Sequence, residues 1–562
     1  MNSGESIGGF IMQQFKVTMN GETRVFDKKV ALLDLLTEEE KNEKNIICAK
    51  VNNRVRELTY EIYYDAEVEM LDLKAHQAMK MYEASLRYLV AMAFNRAYPN
   101  LKIRFAYNIS RCISVHLLDK DVRANTAMLI KITHELDNLV KADYSLNRLV
   151  VPNEEATKIY DERGFEDKKD ILKYRPEKTV HFYECDGYLD YMYSRLVPST
   201  GYIHKYKIRL YGAGFLIQYP RSECLGEIPE FEDAPTFGRT LKESHDWAKV
   251  VGISTVASIN EEIKTAGTAE LINVCEDRHN RQLVELGQLI EDNIRDIRLI
   301  CIAGPSSSGK TTFANRLRIE LLSRGIKPIR ISTDDYYGSR DQTPLGPDGE
   351  PDYETIEAID INFFNENMLS LINGEETELP KFDFKVGHRV PGRKIKIEKD
   401  QPIIIEGIHA LNDRLTYQIP KSEKFKIFIS PQAQINLDDH NPLSLTDLRL
   451  LRRLVRDKKF RNSPAEETFS MWPKVRAGEF KWIYPYQEGC DYVFNSFLPY
   501  ELAIMKKYAL PLLQAIPADS IYYPDAHRLM GMLKFFIDMP DDWVPCNSLM
   551  REFIGGSCYA DV

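Results

Sequence analysis

No C-x-x-C pair occurs in the 562 residues, and the nine cysteines (Cys48, Cys112, Cys185, Cys224, Cys275, Cys301, Cys490, Cys546 and Cys558) are scattered and odd in number. That excludes a disulfide framework and the common cysteine zinc sites, and it suits buried free thiols in a reducing compartment. No apolar stretch approaches the roughly 20 residues of a membrane span. The first residues carry no basic stretch leading into an apolar one, so no signal peptide is expected and the protein reads as cytoplasmic. Fixed-period repeats and low-complexity tracts are missing too. Nor is positive charge in excess, with 74 Lys and Arg against 84 Asp and Glu. A surface built to coat a polyanion is therefore not expected, although a local basic patch is compatible with these numbers.

What is present is ordinary globular material, 44% hydrophobic and 28% charged, in a chain too long for a single core. The most informative stretch is Leu299-Ile-Cys-Ile-Ala-Gly304-Pro305-Ser306-Ser307-Ser308-Gly309-Lys310-Thr311-Thr312. An apolar strand precedes it and the helical run Phe313-Ala-Asn-Arg-Leu-Arg follows. In that context G-x-x-x-x-G-K-[ST] is a phosphate-binding loop. Its glycines let the backbone wrap close to an anion, and the N–H groups opening the helix present positive dipole ends. Lys310 would reach the β- and γ-phosphates of a nucleoside triphosphate, and the Thr311 hydroxyl would ligate Mg²⁺.

Downstream, Ile329-Arg-Ile-Ser-Thr-Asp334-Asp335-Tyr336-Tyr337 reads as a strand delivering an acid pair at its carboxyl end. Such an acid can take a proton from an attacking hydroxyl or position the metal. The run Pro402-Ile-Ile-Ile-Glu406-Gly407 reads as a strand buried on both faces and ending in a second acid. That acid either holds magnesium or caps a helix starting at Gly407. Five arginines fall between Arg449 and Arg461 on a helix and its exit. Arg449 and Arg452 read as a solvated face, whereas Arg456 and Arg461, at the helix end, are the candidates to clamp phosphate charge.

Taken together, Gly304–Thr312, the Ser-Thr-Asp334-Asp-Tyr-Tyr337 run, Ile-Ile-Ile-Glu406-Gly-Ile-His-Ala-Leu and the arginine helix resemble the uridine kinase/phosphoribulokinase family over most of residues 297–515. The resemblance implies ATP as phosphoryl donor, bound by Gly304 to Thr312, with Mg²⁺ held by Thr311 and Glu406. It implies Asp334 as general base on a nucleoside 5′-hydroxyl, Lys310, Arg456 and Arg461 as its catalytic companions, and Tyr337 on the substrate side. The family's N-F-D-H-P-D-A-F-D stands here as Asp352-Tyr-Glu354-Thr-Ile-Glu-Ala-Ile-Asp360, where Glu354 keeps a carboxylate for ribose hydroxyls but the His-Pro pair is gone. Its Y-D-F with a nearby His stands as Phe382-Asp383-Phe384 with His388. The Tyr hydroxyl is lost, which leaves the preferred base open.

The amino-terminal half resembles two modules found in threonyl-tRNA synthetase. Residues 12–72 carry hairpin signals at Asn20-Gly21 and Asn52-Asn53 and a helical patch at Val30-Ala-Leu-Leu-Asp-Leu-Leu, and they resemble the TGS domain, above all in Ala49-Lys-Val-Asn-Asn-Arg-Val-Arg-Glu-Leu-Thr-Tyr60 followed by Asp65-Ala-Glu-Val-Glu69. Residues 73–235 open with a helix over ~76–98 that carries Met79, Leu86, Leu89, Val90 and Ala93 as one apolar stripe, and they resemble the editing domain in Ser85…Ala97-Tyr98-Pro99, Asp190-Tyr-Met-Tyr-Ser-Arg-Leu-Val-Pro-Ser-Thr200 and Lys205-Tyr-Lys-Ile-Arg-Leu-Tyr-Gly-Ala-Gly214. That domain's chemistry rests on an H-x-x-x-H pair and a later Cys and His. The matching positions are Ala84, Tyr88, Met192 and Leu196, so editing by that mechanism is not expected.

The expected fold class is α/β, with a TGS-like β-grasp domain (12–72), an α+β editing-like domain (73–235), a helical connector (236–296) and a P-loop kinase with a parallel sheet (297–562). The expected activity is nucleoside phosphorylation of the uridine/cytidine type. Two alternatives stay open: a kinase for a different sugar or nucleoside, and a nucleotide-gated factor that binds RNA or the ribosome. Contact of the amino-terminal half with RNA or tRNA and assembly into a homo-oligomer are also open.

Overall fold

A computed structural model describes residues 14–346, 349–383, 386–398, 400–432 and 435–560. The chain separates into two compact units. Among the described residues, the first comprises residues 14–232 completed by Asp438–Pro442 and Pro517–Arg528, and the second holds the remainder. Among the described residues no helix is long and apolar enough to cross a membrane.

The first unit begins with a five-stranded sheet. Its strand order is Glu22–Phe26, Phe15–Met19, Ala66–Asp72, Ile46–Val51, Arg54–Glu57, and the pairing of Phe15–Met19 with Ala66–Asp72 is parallel. Both hairpins turn where the asparagines stand: Met19 pairs with Glu22 around Asn20-Gly21, and Asn52 and Asn53 carry φ of 47° and 59°. Those left-handed values match the turn type that follows the strands' own twist. The segment from Val30 is not an α-helix. It forms a two-residue strand, Val30–Ala31, and a 3-10 turn, Leu32–Leu35, because Leu32 and Leu33 donate their N–H to Tyr60 and Leu58 carbonyls instead of building a helical ladder.

The unit also holds a four-stranded antiparallel sheet (Lys207–Tyr211, Gly214–Gln218, Cys112–Leu117, Ile103–Ile109) and a three-stranded one (Asn147–Pro152, Thr179–Cys185, Tyr188–Tyr191). The helix His76–Ala97 runs through this core and is buried nearly all round, not along one stripe, so that Tyr82, Glu83, Ser85 and Arg87 are buried with the apolar residues. One ion cluster has no exposed member. Lys168 Nζ lies 3.0 Å from Asp190 and 3.1 Å from Asp438, and His440 Nδ1 lies 2.5 Å from Asp190.

In the second unit three helices, Pro235–Val251, Val256–Thr265 and Thr268–Asp292, precede a five-stranded parallel sheet. Its order is Ile329–Ser332, Ile403–Glu406, Leu299–Ala303, Lys424–Ser430, Tyr492–Asn495. Leu299–Ala303 is buried throughout and central, flanked by helices such as Lys310–Ser323, as expected of a strand covered on both faces. Register sets Ile302 and Ser332 on either side of Glu406, so three strands deliver their carboxyl ends to one crevice. All nine cysteines are free, but Cys546 and Cys558 are exposed and Cys224 and Cys490 partly so, which corrects the expectation of uniformly buried thiols.

Candidate active site

The loop between Leu299–Ala303 and the helix Lys310–Ser323 depends on its two glycines. A Cβ on Gly304 would sit 1.9 Å from the Ile429 carbonyl oxygen, and Gly309 has φ of +92°. Only glycine meets both demands at low cost. The first i→i−4 bond of the helix runs from Phe313 N–H to Gly309 O, so the N–H groups of Lys310, Thr311 and Thr312 fall in the turn that has no intrahelical partner. Lys310 Nζ donates to the Gly304 and Pro305 carbonyls at 3.1 and 3.2 Å, folding over the loop. The buried hydroxyls of Ser307, Ser308 and Thr312 have no hydrogen-bond partner. Unused donors of this kind, around a positive helix end, are what phosphate oxygens satisfy.

The helix Leu445–Arg461 holds this loop from beneath. Arg449 Nε donates to Ser306 O at 3.1 Å, Arg452 Nη1 to Ser307 O at 3.4 Å, and Arg453 Nη1 to Ser306 Oγ at 3.0 Å. Arg449 and Arg452 are 2% and 0% exposed, so the reading of a solvated face is wrong for both. Their charges are matched by buried acids far along the chain, Glu479 for Arg449 and Glu501 for Arg452. Such pairing is what makes a buried guanidinium tolerable. Arg456 and Arg461 approach Asp457 Oδ1 at 2.9 and 3.4 Å, and Arg453 approaches its Oδ2 at 3.2 Å.

Asp334 follows Ser332, whose hydroxyl accepts its N–H at 3.3 Å, in the 3-10 turn Thr333–Tyr336. Burial pushes its carboxyl up; Lys310 opposes this, Asp335 adds to it, and Arg461 and Arg456 oppose it. Glu406 is buried 3.8 Å from Arg330, and burial followed by the charge of Asp334 pushes it up to about 7. Burial in turn pushes Lys310 down, against the pull of Glu406, Asp334 and Glu552. The structure therefore gathers Lys310, Asp334, Glu406, Arg456 and Arg461 within one another's fields. No helix begins at Gly407, which removes the capping alternative for Glu406.

No group of three acid, histidine or cysteine side chains among the described residues forms a closed metal cage. The two carboxylates of Asp334 and Glu406, each in the other's field, fit Mg²⁺ in another way, because that ion is usually shared between one or two carboxylates and substrate phosphates. A divalent cation would offset the burial that chiefly raises Glu406 and the repulsion from Asp334 that adds to it.

Among the residues the sequence offers for an acceptor, Tyr337 donates its hydroxyl to Tyr353 O at 3.1 Å, and its ring centroid lies 6.3 Å from that of Phe382. Phe382 is buried and donates its N–H to Asp335 at 3.1 Å. Glu354 is partly buried, and burial followed by the charge of Glu479 pushes it up to about 7. His388 is exposed and faces Asp383 across the Thr377–Asp383/His388–Ile395 hairpin, while Phe384 lies outside the described residues. Trp472 is buried with the Arg449 guanidinium 5.4 Å from its ring centroid, so it packs.

Sequence reasoning missed Glu479, Glu501 and Glu552, since nothing in a single carboxylate marks a partner dozens or hundreds of residues away. It also missed His409, fully buried with its ring centroid 6.0 Å from that of Trp482, and pushed down to about 4 by burial.

In the first unit Ala84, Tyr88, Met192 and Leu196 are 0%, 0%, 3% and 1% exposed. The Tyr88 hydroxyl lies 3.1 Å from the Tyr183 and Tyr188 carbonyl oxygens. These four side chains form packed core.

A parallel sheet whose central strand feeds a glycine-bounded loop and Lys310, with acids at two neighbouring strand ends, defines a P-loop phosphotransferase. The model of the phosphoribulokinase/uridine kinase family matches residues 299–501. A uridine kinase of Staphylococcus haemolyticus is 31% identical over 177 residues, covering 32% of this chain and 76% of that one. A uridine kinase of Halalkalibacterium halodurans is 29% identical over 196 residues, covering 35% and 84%. The chain belongs to the phosphoribulokinase/uridine kinase family. Its amino-terminal half is similar to threonine–tRNA ligases: that of Carboxydothermus hydrogenoformans is 26% identical over 191 residues, 34% of this chain. The match spans 30% of that ligase's length.

Proposed function

We propose that the chain is an ATP- and Mg²⁺-dependent kinase that phosphorylates the 5′-hydroxyl of a pyrimidine ribonucleoside, of the uridine/cytidine type. The observation that carries this reading is Asp334, an acid at a strand's carboxyl end in the field of Lys310 and beside the loop. Bound Mg·ATP supplies the phosphoryl group and a metal that neutralises part of its charge. Asp334 accepts the acceptor's hydroxyl proton, burial having raised its affinity for that proton while Lys310 opposes the rise. Lys310, Arg456 and Arg461 offset the negative charge that accumulates around the transferring group. Thr311 and Glu406 are the protein's ligands toward the metal. Glu354 orients a ribose hydroxyl, Tyr337 and Phe382 bound the acceptor's side of the crevice, and Phe384 and His388 belong to the same acceptor segment.

Residues 12–72 act as a TGS-like module and 73–235 as an editing-like module that keeps its fold without its hydrolytic groups. Likeness to threonine–tRNA ligases supports a second reading for this half, contact with a tRNA-like ligand. Acceptor-dependent release of ADP from Mg·ATP, measured against ribonucleosides, deoxyribonucleosides, sugar phosphates and total tRNA, tests both readings. Stimulation by uridine or cytidine supports the kinase. A response to tRNA alone contradicts it and favours a nucleotide-gated RNA-binding factor.

A further inference from the structure

The Thr312 N–H, one of the three donors at the phosphate end of the loop helix, is not free. It donates to Glu552 Oε2 at 3.0 Å, from a residue 240 positions later in the chain. Glu552 lies in a short closed segment whose ends meet where Cys558 N–H bonds Cys546 O at 3.0 Å. Between those ends the segment is anchored on the loop itself. Leu549 is fully buried, and its Cδ2 lies 3.1 Å from where a Cβ on Gly309 would be. Phe553 is fully buried with the Arg452 guanidinium 4.9 Å from its ring centroid, and Arg452 also holds the Ser307 carbonyl. Arg551 ties the segment back to the carbonyls of Asp541 and Val544 at 2.9 and 2.7 Å.

A carboxylate at a helix N-terminus makes the interaction that a phosphate oxygen makes there, with the same donor and the same sign of charge. The neighbouring Ser307, Ser308 and Thr312 hydroxyls are buried and unpartnered, so the anion site is only partly filled by Glu552. The Glu552 charge also reaches Lys310 and Glu406, which places it inside the crevice and not merely near the helix.

We propose that Glu552 is an internal surrogate for a nucleotide phosphate, a residue that sets nucleotide affinity by holding the Thr312 N–H until a phosphate displaces it. The inference rests on the nucleotide-binding reading of the loop. Displacement requires only that the Glu552 side chain rotate away, since Leu549, Phe553 and Ile554 keep the segment seated. Affinity for any polyphosphate is lowered by the fraction of molecules in which the carboxylate is in place.

The test is calorimetric titration of the full-length chain with Mg·ADP and, separately, with inorganic tripolyphosphate, for wild type, Glu552→Gln and Glu552→Ala. Tripolyphosphate has no base or sugar, so it isolates competition for the phosphate site. Glu552→Gln removes the charge but keeps shape and an acceptor oxygen, and Glu552→Ala removes both. The expected result is tighter binding of both probes, by about threefold or more in Gln and about tenfold in Ala, as expected for an anion leaving a helix N-terminus. Thermal unfolding confirms that each variant folds, and Glu552→Gln alone decides if Glu552→Ala does not. Unchanged or weaker binding in a folded Gln variant overturns the proposal while leaving the nucleotide site intact. Absence of binding in every protein overturns the nucleotide reading and the proposal with it.

Discussion

Arg452 Nη2 lies 2.6 Å from Glu501 Oε2, with both side chains 0% exposed, and the same guanidinium reaches the Ser307 carbonyl of the phosphate loop. A buried pair of this kind joins the stability of the helix Leu445–Arg461 to the shape of the loop. Removing one partner leaves the other buried without its hydrogen-bonded counter-charge, which costs about 3–5 kcal/mol. Arg452→Met is therefore expected to lower the unfolding free energy by that amount and to weaken nucleotide binding. Denaturant unfolding and ADP titration check the two effects, and replacing both partners by apolar residues should recover much of the stability.

Lys310→Met should leave the fold intact, because the lysine bonds only loop carbonyls at 3.1 and 3.2 Å. Turnover should fall roughly a hundredfold or more, the loss typical of removing one preorganised charge-stabilising donor. Acceptor-dependent ADP release beside thermal unfolding separates the two outcomes.

Glu354 supplies a pH signature. Its folded pKa, about 7, lies above its ordinary value near 4.5, so the folded state holds the proton more tightly than the unfolded chain. The penalty for ionising it is absent below the lower value, grows as pH rises between the two, and is complete above about 7. Glu354→Gln should therefore gain stability relative to wild type as pH rises from 5 to 8, by roughly 1–3 kcal/mol, since each unit is worth about 1.4 kcal/mol. Melting temperatures across that range check it; parallel profiles for the two proteins would contradict it.

In the first unit Lys168→Met should cost about 3–5 kcal/mol, because Asp190 and Asp438 would then share a buried site without their cation. Denaturant unfolding measures the loss. Adding Asp190→Asn and Asp438→Asn to the same protein should restore part of it.

Local patterns were legible where local forces decide the outcome. The Asn20-Gly21 and Asn52-Asn53 turns, the all-apolar strand before Gly304 and the acid-ended strand at Glu406 each stand where their residues point. Patterns failed where distant partners decide. Val30 to Leu36 looks helical on its own, but Leu58 and Tyr60 offer carbonyls that draw its N–H groups into another arrangement. The helix His76–Ala97 shows one stripe in sequence and is buried on every face, because sheets and helices enclose it. Arg449 and Arg452 look solvated until Glu479 and Glu501 arrive from later helices. Of the site, the loop and the two strand-end acids could be read from order and spacing. The carboxylate on Thr312 could not, since 240 residues separate it from its donor.

In the proposed reaction Asp334, in the field of Lys310, accepts the acceptor's proton. Asp334→Asn keeps the size of the side chain and removes its basicity, so one protein serves for two readings: the dissociation constant for Mg·ATP and the rate of acceptor-dependent ADP release. The account expects ATP binding within about threefold of wild type and turnover reduced at least a hundredfold, the loss general-base catalysis typically supplies. Turnover retained at the wild-type level would contradict it and assign the proton to another group.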